Sequence, residues 1–298
     1  MTTNLVSRAY CPTYDEDAAR AALTGLLAAI SVGEADIRGR KILIKPNLVM
    51  AKKPEFAATT HPVLLTALAK LLADWNAASI VVADSCGGPY NSANMHAVYH
   101  ACGLDGLRAL PGVTLNEDFS FESVTFPGKR LHGCNIIKPA LECDVCVDFC
   151  KLKTHGLTGL SAATKNLFGL VPGVEKFSLH AANPRLDDFS AMLVDLNEML
   201  RARCRVIAIC DGIVGMEGDS GGDPARVGIH LRAGCGGGAP YRLHDPGPLS
   251  RRGGGARTGG EGLRKADHSY RDGACAGEND VCLPAAAANR FLKNLSGI

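Results

Sequence analysis

Four short apolar segments, each closing on polar residues, most constrain what this chain can fold into. They are "KILIKPNLV" (41–49), "SIVVADSCGG" (79–88), "CDVCVDFCK" (143–151) and "RVIAICDG" (205–212). Stretches with helical periodicity fall between or beside them. Residues 16–30 repeat Leu23, Leu27 and Ile30, and "TTHPVLLTALAKLLADWN" carries Leu64, Leu65, Leu68, Leu71, Leu72 and Trp75. "DDFSAMLVDLNEML" aligns Phe189, Met192, Leu193, Leu196, Met199 and Leu200 on one face. Spacings of three and four residues mark one side of a helix, whereas short β-branched runs without polar alternation mark strands buried on both faces. "NMHAVYHACGL" starts a further helix, and residues 113–137 read as short β segments. Strands alternating with helices predict an α/β fold: a layered, mainly parallel or mixed sheet flanked by helices.

In such sheets ligands collect beyond the carboxyl ends of the strands. The polar clusters fall there: Lys45 and Asn47, Asp84 and Ser85, Lys151 with Lys153 and His155, and Asp211. The third cluster opens "KLKTHGLTGLSAATKNLFGLVPGVEKFSLH" (151–180), which gathers Lys151, Lys153, Thr154, His155, Lys165, Asn166, Lys176 and His180 among glycines and small residues. If the strand stays extended past Cys150, Lys151, Lys153 and His155 project to one side. "SAATKNLFG" reads as a short helix with Ser161 near its N-cap, so cationic side chains would face free backbone N–H groups that favour anions. Lysines in loops are ordinarily just solvated, but the density of donors here predicts an anion site.

Other residues carry two readings each. His61 at a helix start, where Thr60 is the natural N-cap and Pro62 lies in the first turn, serves as a general base or metal ligand, or simply caps the helix. Asp84 and Asp211 bind Mg²⁺, orient a lysine or act as bases, or cap their own loops. "GDSGGDP" (218–224) can form a backbone nest for an anion. Cys143, Cys146 and Cys150 do not match the ferredoxin spacing, and on one strand 143 and 146 would face opposite ways, so they are expected as buried strand cysteines.

The net charge of +2 is too small to argue for nucleic acid or an anionic membrane as partner. No apolar run approaches the ~20 residues that span a bilayer. The first residues, "MTTNLVSRAYCPTYDEDAAR", lack the basic start and apolar stretch of a secretion signal, and a cytoplasmic setting is expected. Its twelve cysteines should then be thiols. From Leu231 to Asp280 there is no Val, Ile, Phe, Met or Trp, while Gly and Arg abound. Such a composition cannot bury enough apolar surface to order itself. The expected organisation is an α/β domain over 1–230, a disordered or frame-shifted Gly/Arg segment over 231–280, and a C-terminal helix over 281–298. A reading-frame error in a GC-rich gene explains that segment better than an RNA-binding tail, because interleaved aromatics are missing.

Taken together, "ILIKPNLV", "ATTHP", "ADSCGGPY", "KLKTHGLTGLSAATKNLFGLVPG", "EK…H" and "DGIVGMEGD…GG" resemble the family catalogued as domain of unknown function 362, in consistent order over roughly residues 40–228. The resemblance implies a prokaryotic, cytoplasmic, often anaerobe-associated protein. Many members follow this domain with a ferredoxin-like module holding two 4Fe-4S clusters. Three departures stand out. The strand before "KLKTH" is cysteine-rich instead of aliphatic and proline-ended, Cys86 takes the proline position of the usual "DSPGG", and the last third is replaced by the Gly/Arg stretch. The cluster module's ligand motif is absent from this sequence.

Two functions follow as expectations. One is an enzyme domain for a small anionic ligand, held by Lys45, Asn47, Lys151, Lys153, Thr154, His155, Lys165, Asn166, Lys176 and His180, with Asp84, Asp211 or His61 in proton transfer or on a metal that the sequence does not name. The other is a non-catalytic redox adaptor that docks a 4Fe-4S module or a redox partner protein.

Overall fold

Alternation along the strands decides the architecture. Ile42 and Ile44 pack into one apolar cluster with Ile80, Val82, Val147 and Ile209, while the intervening Leu43 packs into a second with Cys146, Phe189 and Leu196. Both faces of the sheet are therefore covered, as the unbroken apolar runs require. The computed structural model describes residues 5–217, 224–225 and 230–235.

The chain begins with β1 (Leu5–Tyr10), α1 (Glu16–Ala29), α2 (Glu34–Ile37), β2 (Lys41–Pro46), α3 (Pro62–Asp74), β3 (Ser79–Val82) and α4 (Ser92–Ala101). There follow β4 (Val113–Leu115), β5 (Phe121–Thr125), β6 (Gly133–Ile137), α5 (Lys138–Glu142), β7 (Val145–His155), β8 (Gly159–Ser161) and α6 (Ala163–Asn166). The last elements are α7 (Glu175–Ala182), α8 (Leu186–Arg201), β9 (Arg205–Met216), β10 (Pro224–Ala225) and β11 (His230–Cys235). The main sheet runs β1-β11-β9-β7-β2-β3-β4. Its β9-β7-β2-β3-β4 portion is parallel, and β11 and β1 continue it antiparallel. The fold is the expected α/β layering.

Several local expectations change. Thr60 does not cap α3. His61 does, its side chain accepting from Val63 N, and Pro62 occupies the first turn. The Thr60 hydroxyl instead ties two strands together, accepting from Asn47 N at 2.8 Å and donating to Phe149 O at 2.7 Å. Cys143 is not in a strand. It follows α5 and shares a cluster with Cys146, whereas Cys150 packs elsewhere with Ala163 and Ala208. Ser161 is not an N-cap but a strand residue paired with Lys153, and α6 has only four residues and no side-chain cap. The helix-terminus cradle expected for an anion is not built.

The sheet also passes the expected boundary at residue 230, since β11 pairs along its whole length with β9 and β1. The glycine nest at 218–224 falls almost wholly outside the described residues. So do most of the Gly/Arg segment and all of the C-terminal helix over 281–298.

Candidate functional site: a buried lysine cluster at the carboxyl end of the sheet

β2 is pinned between β3 and β7, and its penultimate residue is a lysine that has nowhere to go but inward. Lys45 is 0% exposed. Its Nζ pairs with Asp84 Oδ1 at 2.7 Å and donates to Pro46 O at 2.7 Å. Asp84, just past β3, accepts Leu48 N at 2.7 Å and Ser85 N at 2.9 Å, so one carboxylate both orients a lysine and caps its own loop. A Cβ on Gly169 would stand 2.1 Å from Asp84 Oδ1 and 2.7 Å from Lys45 Nζ, so only glycine lets this backbone close over the pair.

Amides join this pair to β7. Asn47 Nδ2 donates to Asn166 Oδ1 at 3.0 Å, and Asn166 Nδ2 donates to Asp148 Oδ1 at 2.6 Å. Asp148 lies beside Lys45 in the parallel register and is 1% exposed. Burial raises its carboxyl to about 7, against the pull of Lys45 and the Asn166 bond.

A second buried pair joins the neighbouring strands. Lys151 and Asp211 are register partners, both 0% exposed, with Nζ 2.7 Å from Oδ2. Tyr14, ahead of α1, completes it: its hydroxyl donates to Asp211 Oδ1 at 3.0 Å and accepts from Lys151 Nζ at 2.9 Å. His61 stacks on the Tyr14 ring at 3.6 Å and donates its main-chain N–H to Asp211. Burial lowers the His61 imidazole to about 4 despite Asp211 nearby, so it is neutral at pH 7. Asp211 sits within β9, not at its end, and its oxygens are occupied by these donors.

The other cations have no carboxylate partner. Lys153, 6% exposed, donates to Asn47 Oδ1 at 2.9 Å and Ala58 O at 2.8 Å. Lys176 of α7 donates to Ser85 O, Ser85 Oγ and Cys86 O. Lys165 of α6 has no hydrogen bond or ion pair with any described residue. Desolvation lowers Lys153 to about 7 and Lys165 and Lys176 to about 8, and in each case neighbouring lysines push the same way.

The remaining candidates stand apart. Thr154 pairs with Leu160 between β7 and β8. His155 Nδ1 accepts Leu157 N at 3.1 Å and Thr158 N at 3.3 Å, which caps the turn after β7. His180 stacks on Phe189 at 4.3 Å and meets Phe168 edge-on, a packing role beside Lys165. Lys151 is likewise held on its own, by Asp211 and Tyr14. Lys45, Asn47, Lys153, Asn166 and Asp84 are bonded into one network, with Lys165 and Lys176 close enough to be felt electrostatically.

Sequence reasoning missed Tyr14 and Asp148. Asp148 had a legible signal, a single carboxylate inside the apolar run "VCVDFC", because a buried acid needs partners. Tyr14 had none, since its partner lies 197 residues away. Among the described residues, no three His, Cys, Asp or Glu side chains gather as a metal-ion site.

The model of the family described as Domain of unknown function (DUF362) matches residues 42–235. The chain belongs to this family. That span takes in β2 through β11 and every residue of the lysine network. A DUF362-type chain from Synechocystis, described as a thylakoid-associated protein, is 29% identical over 229 residues, covering 73% of this chain and 66% of its own. Two solved structures are similar at 14% identity. A Thermotoga maritima protein has a TM-score of 0.44 over 74% of this chain and 54% of its own. The lactate racemase apoprotein of Thermoanaerobacterium thermosaccharolyticum has 0.46 over 75% and 52%. The chain thus spans somewhat less than two thirds of the curated relative and about half of each solved protein. Among the described residues no helix is long and apolar enough to cross a membrane.

Proposed function

We propose that this DUF362 domain binds a small anionic ligand, bearing phosphate or carboxylate groups, against Lys153, Lys165 and Lys176 beside the Lys45–Asp84 pair. One observation carries the reading: Lys45, Lys151, Lys153, Lys165 and Lys176 stand at the carboxyl end of the sheet with three buried acids, Asp84, Asp148 and Asp211, and one of those acids is itself raised to about 7. Uncompensated charge in a poorly solvated site is costly, and a bound anion offsets it. Lysines lowered towards neutrality by burial, and further by one another, regain their protons when an anion arrives.

In this reading Lys165, which has no partner among the described residues, is the primary contact. Asn47 and Asn166 fix the position of Lys153, and Asp148 is a proton acceptor or donor near neutral pH. The setting proposed is cytoplasmic, which suits the nine free thiols from Cys11 to Cys210.

The test is thermal unfolding of the full chain and of Lys165→Met with phosphate, sulfate and small di- and tricarboxylates. Lys165→Met should be at least as stable as the wild type without ligand, because it removes an unpaired cation. It should also lose the ligand-induced rise in Tm. An undiminished rise in both Lys165→Met and Lys153→Met overturns the assignment.

A further inference from the structure

At the other end of the sheet, where β2, β7 and β9 begin, lies a cleft of about 480 Å³ that the lysine network does not touch. Four arginines line it, Arg40, Arg201, Arg203 and Arg205, together with two acids, Asp36 and Asp144. Their places follow from the sheet. Arg40 comes just before β2, Asp144 just before β7, and Arg205 opens β9. Main-chain bonds pin these three starts side by side: Asp144 N donates to Lys41 O at 2.9 Å, and Arg205 N donates to Asp144 O at 3.0 Å. Arg201 ends α8, and Arg203 lies in the short turn from α8 into β9. The cations are thus mounted on ordered backbone.

Both acids are already engaged. Asp36 Oδ2 accepts Gly33 N at 2.9 Å at the start of α2, and Oδ1 of the same carboxylate pairs with Arg205. Asp144 Oδ2 accepts Lys41 N at 2.8 Å. The side chains of Arg40 and Arg203, in contrast, have no hydrogen bond or ion pair with any described residue. A cleft in which one sign of charge prevails focuses its field and concentrates counter-ions. Guanidinium groups grip phosphate oxygens through two parallel N–H donors, so unneutralised arginines in a cleft favour phosphate over a simple ion. No aromatic side chain is among the described residues that line the cleft, so none is there to stack on a nucleobase. The volume falls in the range of about 300–1,000 Å³ typical of small-molecule sites, and one phosphate group fills only a fraction of it.

We propose that this cleft binds a compact, non-aromatic molecule carrying two phosphate groups, with Arg40 and Arg203 as its principal contacts. Two phosphates match the two arginines that no carboxylate neutralises. Arg201 and Arg205 strengthen the field they enter. The assignment does not rest on the lysine site. Arg40 and Lys45 are five residues apart along one extended stretch, roughly 16 Å at ~3.3 Å per residue, which exceeds the ~8–10 Å screening length at ordinary salt. Each site can therefore be filled or lost without the other.

The experiment is arginine modification of the full chain by phenylglyoxal, followed by peptide mapping, with inorganic pyrophosphate, fructose bisphosphate or inorganic phosphate present. Pyrophosphate or fructose bisphosphate should slow the reaction at Arg40 and Arg203 about tenfold, and at lower concentration than phosphate does. Arg108 and Arg185, remote from the cleft, should react at their unprotected rates. Whichever of the two bisphosphorylated compounds acts at lower concentration reports whether the two groups sit adjacent or apart. Lys165→Met, which removes the primary contact of the other site, should leave this protection intact, so the two sites fail separately. Calorimetric titration of Lys165→Met with the better compound should show binding that adding Arg40→Gln and Arg203→Gln weakens about tenfold or more. Both arginines are exposed, so Tm should not fall. Unchanged rates at Arg40 and Arg203, equal protection of every arginine, or phosphate as effective as either bisphosphorylated compound overturns the proposal.

Discussion

Lys151 and Asp211 show how much of a site can be read residue by residue. Both were visible in the sequence as polar residues closing apolar strands, and their pairing follows from the register of β7 and β9. What the sequence did not carry was the division of labour among the lysines. Lys151 has a carboxylate of its own at 2.7 Å, whereas Lys153, two residues on, has none. A register shift between the two residues re-aims the second side chain, and such irregularities leave little trace in composition. The pair also yields a prediction with a sign. Lys151→Met leaves a fully buried Asp211 without its cation and should destabilise the protein by about 3–5 kcal/mol, whereas combining Lys151→Met with Asp211→Leu should recover a large part of that loss. Urea unfolding of both variants measures it. A double variant as unstable as the single one would mean that the Tyr14 and main-chain bonds to Asp211, not the ion pair, carry the stability.

At the scale of elements, legibility tracked length. The sixteen residues of α8 were placed with the correct face, and Phe189, Met192, Leu193, Leu196, Met199 and Leu200 are all buried. Over four turns the 3.6-residue period outweighs any single residue. The four residues of α6 gave a false expectation, since a stretch that short has no period to read, and pairing of Ser161 with Lys153 took over what had been read as a cap. The α3 cap fell to His61 instead of Thr60 because the Thr60 hydroxyl was needed between Asn47 and Phe149, a contact no local rule contains. The apolar face of α8 packs against Leu43 and Cys146, so it holds the sheet from which Lys45 and Asp148 project. Leu196→Ala should therefore cost about 2–5 kcal/mol by denaturant unfolding with an unchanged m-value. A loss well below 1 kcal/mol would show that the α8 face contributes little to the packing.

For the whole molecule, the lysine network makes stability depend on pH in a direction opposite to that of an ion-paired surface lysine such as Lys138, whose value is raised by Asp118. Lys153, Lys165 and Lys176 have folded-state values of about 7, 8 and 8 against an ordinary 10.5. Above pH 7 the unfolded chain keeps these protons while the folded protein sheds them, so stability rises with pH by up to about 1.4 kcal/mol per unit for each group titrating. Below about pH 6 both states are protonated and these lysines add no slope. Asp148, at about 7, opposes the trend until its carboxyl has ionised in the folded protein, and raised thiols such as Cys134, at about 12, oppose it once the unfolded thiols ionise near pH 9, which leaves roughly pH 7.5 to 8.5 as the informative window. The ligand-free protein should become steadily more stable across that window in chemical denaturation. A saturating polyanion should flatten the rise, because the bound anion keeps the ammonium groups protonated in the folded state. Calorimetry at pH 8 should correspondingly show proton uptake on binding, seen as a heat that depends on the ionisation enthalpy of the buffer. A pH-independent stability without ligand would mean that solvent already screens these lysines, and the electrostatic reason for an anion site would disappear with it.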